Sequence, residues 1–496
     1  MRHPMRPATV PKVLPVAEPA SQDRPGSLKA VRALIWVYLA LLLVEGALRK
    51  WALPSLSDPL LIIRDPVVLG IYFFAIRAHV FPRNAYVVLV AVVGALSMLV
   101  SIVLLSAYVP MKAVLLVTLY GFRCDFLHLP LMFVMAAALD LEDVRKVGYW
   151  TLLLMIPMAV LMILQFRASP DSFINRAVGL GEGQQLATAG GKIRPPGPFS
   201  FISGPIFYLS VATAFVIYGA LSVGAYRGWL LLASSAAILI GVIVSGSRAC
   251  VLAVALVAMA VLIILLVRPS AVNKLVGTVL ALAIIGFFFL FIGSRFAVFK
   301  EGFDVLSERF TTSAEIAETS VVGGLIERVV QEFTEPFEYI AKIPVTGYGL
   351  GLGTAGGARF FGQAGLLLSE NEWLRIIAES GPLLGLGFII LRIALTGKLL
   401  MVSLRALKAG QVLSILLFST VFLGMLNGQL GQPTTLGFTV VLAGLCLAAA
   451  NTGETTNNPE TEEEMQPKRL PRRSVFADRI HGTANSTDHA NGSVDR

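Results

Sequence analysis

Two arginines beside apolar segments are the first candidates for chemistry in this sequence. Arg248 ends a Ser-Gly-Ser-Arg turn at 245–248, between two apolar runs, and Arg194 lies near the end of a polar loop, directly before Pro195. A guanidinium group stays charged and binds phosphate through a planar pair of donors. The two residues therefore predict an anion-binding site. The alternative for each is an arginine that flanks a span and extends its charged end to the membrane surface.

A second charged stretch, 369–382, opens another apolar segment. Ser369 and Glu372 have the spacing of a capping box, which predicts a helix start. Glu372, Arg375 and Glu379 then share one helix face. Charges this close to hydrocarbon usually face a bundle interior or a wet cavity. The stripe is either self-neutralising or part of a binding site, and both interpretations stay open.

Glu370 lies just outside that stripe, where the positive end of a helix dipole keeps a carboxylate ionised. We expect it to be the free base, with Asn371 and Arg375 as weaker substrate-binding candidates. Tyr348 is another, in a run with glycines at alternate positions from 347 to 353. Such glycines let a backbone approach a ligand closely, although flexible loops show the same pattern.

An amphipathic helix is predicted before this run. Apolar side chains recur every fourth residue from Val321 to Phe337, with glutamates between them. The pattern predicts a helix that lies on the bundle or on the membrane interface and is interrupted at Pro336.

The elements that position these residues are predicted from composition. The chain has 496 residues, 56% hydrophobic and 14% charged, whereas roughly a quarter is charged in soluble proteins. An ordinary soluble enzyme and a disordered chain are excluded. Apolar runs long enough to cross a bilayer predict an all-α polytopic protein with about twelve spans. They lie at 33–48, 59–78, 85–109, 112–139, 147–166, 199–220, 228–245, 249–267, 273–294, 373–400, 409–428 and 433–450.

The basic residues of the short loops predict the orientation. They favour both termini in the cytoplasm, with the long loops and the 245–248 turn at the outer face. The predicted organisation is a cytoplasmic tail at 1–32, nine spans over 33–294 with an outer loop at 167–198, a large extracytoplasmic loop at 295–372, three spans over 373–450 and a disordered cytoplasmic tail at 451–496.

Several kinds of site have no signal in the sequence. It contains no HExxH, no paired metal-ligand spacing, no Walker A lysine and no Asp-x-Asp for a metal-bound nucleotide sugar. We therefore predict neither a metal nor a cofactor. The net charge of +9 comes mainly from tails and short loops, so nucleic acid is not an expected partner.

The order of the motifs resembles the O-antigen ligase/polymerase superfamily of bacterial inner-membrane proteins. The resemblance rests on the stretches at 194–200, 245–249, 344–351 and 370–382, and it covers roughly 194–400. It implies a GT-C-like glycosyltransferase of the bacterial inner membrane, which moves a glycan from a polyprenyl diphosphate to a sugar hydroxyl at the outer face, without a metal.

The resemblance also implies roles for particular residues. Arg248 corresponds to an arginine that binds the donor diphosphate, and Arg194 to an earlier loop arginine. The family's ligases carry a histidine where this chain has Glu370, which favours a polymerase-like member, such as one that makes exopolysaccharide.

Two other functions stay open. A transporter or flippase of lipid-linked glycan would need buried charges within the spans, and Arg64, Asp65 and Arg123 are candidates. The same residues and His128 are otherwise structural pairs or glycan contacts. A structural scaffold of an envelope complex would tolerate substitution at all these positions.

Overall fold

The computed structural model describes residues 23–178, 191–268, 277, 286–287, 290–291, 293–316, 321–354, 356–357 and 371–451. They belong to one unit, Met1–Gly453, and the other unit, Glu454–Arg496, lies outside the described part. Glu370 and most of the span predicted at 273–294 also lie outside it.

The described chain is built from α-helices. The longer ones are α1 (Asp23–Ala47), α2 (Arg64–Arg77), α3 (Ala85–Leu105), α4 (Met111–Phe122), α5 (Leu131–Ala138), α6 (Leu141–Arg167), α7 (Ser203–Leu221), α8 (Gly228–Val244), α9 (Arg248–Val267), α10 (Ala297–Ile316), α11 (Val321–Tyr339), α12 (Glu372–Lys408), α13 (Leu413–Asn427) and α14 (Pro433–Ala450). Two π-helical turns, Leu48–Ala52 and Arg123–Leu127, follow α1 and α4.

Nine helical segments in the described ranges are long and apolar enough to cross a membrane. The apolar helices α8 and α13 stand at predicted positions but have only 17 and 15 residues. The all-α class is therefore confirmed, and length and composition indicate a multi-pass membrane protein. The number of spans and the GT-C-like architecture stay predictions.

The outer surface of the bundle is apolar. Helix α3 has a mean hydropathy of 2.9, yet only 22% of its 18 most apolar consecutive residues are buried. Val88, Leu99 and Val103 are more than half exposed along it. In water such a row would be an exposed hydrophobic patch that promotes association, whereas in lipid it is an ordinary protein surface.

Polar side chains cap two of the helix starts, and one of these starts lies well before its predicted span. Helix α6 begins at Leu141, six residues before the predicted span, because Asp140 and Asp143 form a reciprocal capping box. Helix α12 begins at Glu372, where the Asn371 side chain accepts from the backbone N–H groups of Trp373 and Leu374. The predicted cap at Ser369 is therefore wrong, since Asn371 holds that position.

The predicted break at Pro336 is also wrong, because α11 continues to Tyr339. Proline lacks an N–H, so it leaves the carbonyl four residues earlier without a helical donor. That carbonyl belongs to Glu332, and the Asn371 Nδ2 donates to it at 2.8 Å. The same side chain thus caps α12 and supplies the hydrogen bond that Pro336 removes from α11.

Candidate functional site

The loop that carries Arg194 is held by hydrogen bonds from the π-helical turn after α1 and from α6. The Gly197 carbonyl accepts from Lys50 Nζ at 2.7 Å and from Gln165 Nε2 at 3.1 Å. The Gly197 N–H donates to Gln165 Oε1 at 2.8 Å. Gly197 has a φ of 60°, which favours glycine. At Gly197, three residues after Arg194, both the backbone N–H and the backbone carbonyl are therefore hydrogen-bonded.

A π-helical turn at Leu48–Ala52 turns two consecutive basic side chains inward, and both Arg49 and Lys50 are buried. Arg49 Nη1 donates to Ser200 Oγ at 3.3 Å, six residues after Arg194. On the other side of the loop, Lys192 pairs with Glu301 of α10 at 3.0 Å. Sequence reasoning assigned no role to this turn; its only signal was a basic pair at the end of an apolar run.

Arg248 is the first residue of α9 and is half-buried. The tight turn before it is held by Ser245 Oγ, which accepts from the Ser247 N–H at 3.2 Å, and by a φ of 54° at Gly246. Two residues before Arg194, Lys192 pairs with Glu301 of α10 at 3.0 Å, and the adjacent Gly302 lies against Ile243 at the end of α8. The loop that carries Arg194 and the helix end directly before the Arg248 turn therefore contact the same segment of α10.

The charged stripe of α12 belongs to a buried group that we call the carboxylate network: Asp125, Glu372, Arg375, Glu379 and Arg392. Arg375 binds Asp125 at 2.7 Å, Glu372 at 2.8 Å and Glu379 at 2.9 Å. Arg392 binds Glu372 at 3.1 Å and donates to three backbone carbonyls at the end of α13. These contacts favour the self-neutralising interpretation of the stripe.

The glycine run is part of the same network. Glu379 accepts from the N–H groups of Gly351 and Gly353, both at 2.9 Å. Gly351 has a φ of 93°, and a Cβ there would collide with the Val117 carbonyl and with Gly121 of α4. The close approach that these glycines permit is therefore to the protein's own backbone, in α4 and α12.

The remaining predicted residues are placed as follows. Glu370 lies outside the described residues, one position before Asn371. Asn371 is buried and, besides its capping bonds, donates to Glu335 Oε2 at 3.2 Å. Arg375 is engaged in the carboxylate network, and the Tyr348 side chain is 43% exposed. Substrate binding by Asn371, Arg375 and Tyr348 stays a prediction, and for the first two the contacts indicate a structural role.

The polar turn between α13 and α14 joins several of these elements and was missed in the sequence. Asn427 Nδ2 donates to Glu332 Oε2 at 2.6 Å, and the Leu430 N–H donates to Glu372 Oε1 at 3.0 Å. The Pro433 carbonyl accepts from Arg64. The signal was the amide-rich sequence Asn-Gly-Gln-Leu-Gly-Gln between two apolar runs.

The charges within the first spans pair across helices. Arg64 binds Glu45 at 2.9 Å, whereas Asp65 binds Arg123 at 2.7 Å. His128 joins them, with Nε2 3.0 Å from Asp65 Oδ1. The neighbours Arg64 and Asp65 thus have different partners, and these pairs indicate a structural role.

Over the described ranges, no group of three or more His, Cys, Asp or Glu side chains is arranged to hold a metal ion. No protein-family model matches the chain, and no curated protein matches it. The resemblance of its motifs to the O-antigen ligase/polymerase superfamily therefore stays an interpretation of those residues.

Proposed function

We propose that this chain is a membrane glycosyltransferase, which polymerises or ligates a glycan carried on polyprenyl diphosphate. The observation that carries the proposal is that α10 links the Arg194 loop to the helix end directly before the Arg248 turn, where an apolar helix begins. An anionic head group attached to a lipid suits two guanidinium groups beside hydrocarbon. The proposed location is the outer face of a bacterial inner membrane.

The reaction makes one bond and breaks one. An acceptor sugar hydroxyl attacks the anomeric carbon of the donor glycan, and the bond from that carbon to the phosphate oxygen breaks. The electron pair leaves with the diphosphate, whose added charge Arg194 and Arg248 stabilise. A single fixed donor of this kind contributes about 3–4 kcal/mol to a transition state.

The acceptor proton passes to Glu370 in this mechanism, and general base catalysis contributes about 10²–10⁴-fold. The adjacent Asn371 supports this role, because its side chain bonds to α11 and α12 together. Glu370 directly precedes this anchored residue in the sequence.

Transport of lipid-linked glycan is the rival function. It draws on Arg64, Asp65 and Arg123, the charges within the spans. Their ion pairs with Glu45 and with each other account for these charges as helix contacts. We therefore favour the enzyme.

Polymer formation in cells tests the proposal. Arg248→Ala and Glu370→Gln should each abolish the glycan polymer while the protein still inserts at the wild-type level. Arg167→Ala, an exposed arginine at the end of α6, is the matched control and should leave the polymer unchanged. Normal polymer in both Arg248→Ala and Glu370→Gln cells would contradict the assignment.

A further inference from the structure

Helix α11 has an apolar side that the bundle covers only in part. Phe333 packs on Trp373 with 4.9 Å between the ring centres, and Pro336 is buried. Val330 and Phe337 are 50% and 52% exposed. At about 100° per residue these two lie within about 20° of each other around the helix, roughly 40–60° from Phe333. One edge of the apolar face thus contacts protein, and the adjacent edge points away from it.

The position of α11 along the bundle is fixed by its contacts. Asn371 donates to the Glu332 carbonyl and immediately precedes α12, a helix of membrane-spanning length. Trp373 lies in the first turn of that helix, and tryptophan is enriched at membrane surfaces. Because α11 packs on the first turn of a span, it lies at the level where the hydrocarbon begins.

We infer that Val330 and Phe337 insert into the bilayer, at the boundary between head groups and acyl chains. Exposed polar side chains lie about 90–110° further around the helix, at Gln331 and Glu338. An apolar edge beside the bundle and a polar edge away from it are the arrangement of an interfacial helix. The driving force is apolar burial, because the polar side carries glutamates, which anionic head groups repel.

This contact has a consequence for the neighbouring segment. Asn371 bonds to the Glu332 carbonyl and to the Glu335 carboxylate, so α11 and the start of α12 keep one relative height. A helix anchored in the interface therefore fixes the depth of Asn371, the residue that caps α12, relative to the membrane. The inference does not depend on the proposed enzyme activity.

Spin labels on single introduced cysteines test the inference. The native Cys124, Cys250 and Cys446 are buried, so a surface cysteine is labelled selectively. Val330→Cys and Phe337→Cys report on the apolar edge, and Gln331→Cys and Glu338→Cys are matched controls on the polar side. The full chain is placed in vesicles of phosphatidylethanolamine and phosphatidylglycerol, and collisions with oxygen and with a water-soluble nickel chelate are measured.

The expected result is an oxygen-to-nickel accessibility ratio above one at 330 and 337, and below one at 331 and 338. A ratio below one at both 330 and 337 overturns the inference. Dipolar broadening between labels also overturns it, because it would show that a second copy of the chain covers this edge. Two independent reporter positions guard against a local effect of either substitution. Activity is not the readout, so failure of this inference and failure of the proposed enzyme are distinguishable.

Discussion

Arg375 and Arg248 stand at the starts of two apolar helices, yet their surroundings differ. Arg375 is buried and bound to three carboxylates, one from the first turn of α12, one two turns later and one from the π-turn after α4. Arg248 is half-buried and directly follows a turn that contains Ser245 and Ser247. The first arginine holds helices together, and the second is exposed enough to meet a ligand.

The difference shows why a conspicuous charged stripe is a poor guide to a binding site. Burying an ion is expensive unless charges and hydrogen bonds compensate it within the protein, and the carboxylate network provides both. A guanidinium group compensated in this way has its charge and its donors already engaged within the protein, so few of them can bind a substrate. A guanidinium that keeps part of its surface exposed is the better candidate for binding an anion.

Removal of Arg375 should have the largest effect on stability. Arg375→Ala leaves Asp125, Glu372 and Glu379 buried without their shared cation, which should cost about 3–5 kcal/mol of unfolding free energy. Thermal unfolding of the purified protein in detergent measures it. Arg405→Ala, an exposed position on the same helix, should stay within about 0.5 kcal/mol. Equal stability of the two variants would contradict the structural role of Arg375.

Substitution of Gly351 should have an intermediate effect. Gly351→Ala places a side chain at a φ of 93° and against the α4 backbone, so we expect a loss of about 1–3 kcal/mol. Gly387→Ala is the control, because nothing lies near its Cβ position in α12, and it should be neutral or slightly stabilising. Wild-type stability of Gly351→Ala would favour a mobile, ligand-contacting glycine run.

Removal of the Lys50 ammonium should have the smallest effect. Lys50 has no carboxylate partner among the described residues, and Gln165 still donates to the Gly197 carbonyl in its absence. Lys50→Met keeps the length of the side chain and should change unfolding free energy by less than about 1 kcal/mol. The exposed Lys112→Met is the control. A loss as large as that of Arg375→Ala would mean that Lys50 belongs to a closed ion-pair network.

Much of the fold could be predicted from the sequence, because span positions depend on local composition. The start of α12 was placed correctly to within a residue even though its cap was misassigned, since Ser369 and Asn371 both suit the position. The continuation of α11 through Pro336 could not be predicted, because the replacement donor comes from Asn371, 35 residues later.

The site could be predicted only in outline. Arg194 and Arg248 were selected by residue type and position and stay predicted binding residues, whereas the hydrogen bonds that hold the Arg194 loop could not be predicted. Arg49, Lys50 and Gln165 hold that loop from distant parts of the sequence. The partners of Arg375 show the same limit, since Asp125 lies 250 residues away in sequence.

Chain elongation by purified protein tests the central claim most directly. Liposomes containing the host's lipid-linked oligosaccharide and either wild-type protein or Arg248→Ala are assayed for longer glycans and for free polyprenyl diphosphate. We predict elongation by the wild type and a loss of about 10²–10³-fold in the variant, with both proteins unfolding at the same temperature. Movement of the lipid-linked glycan across the bilayer without any new glycosidic bond, or elongation that Arg248→Ala leaves intact, would contradict the account.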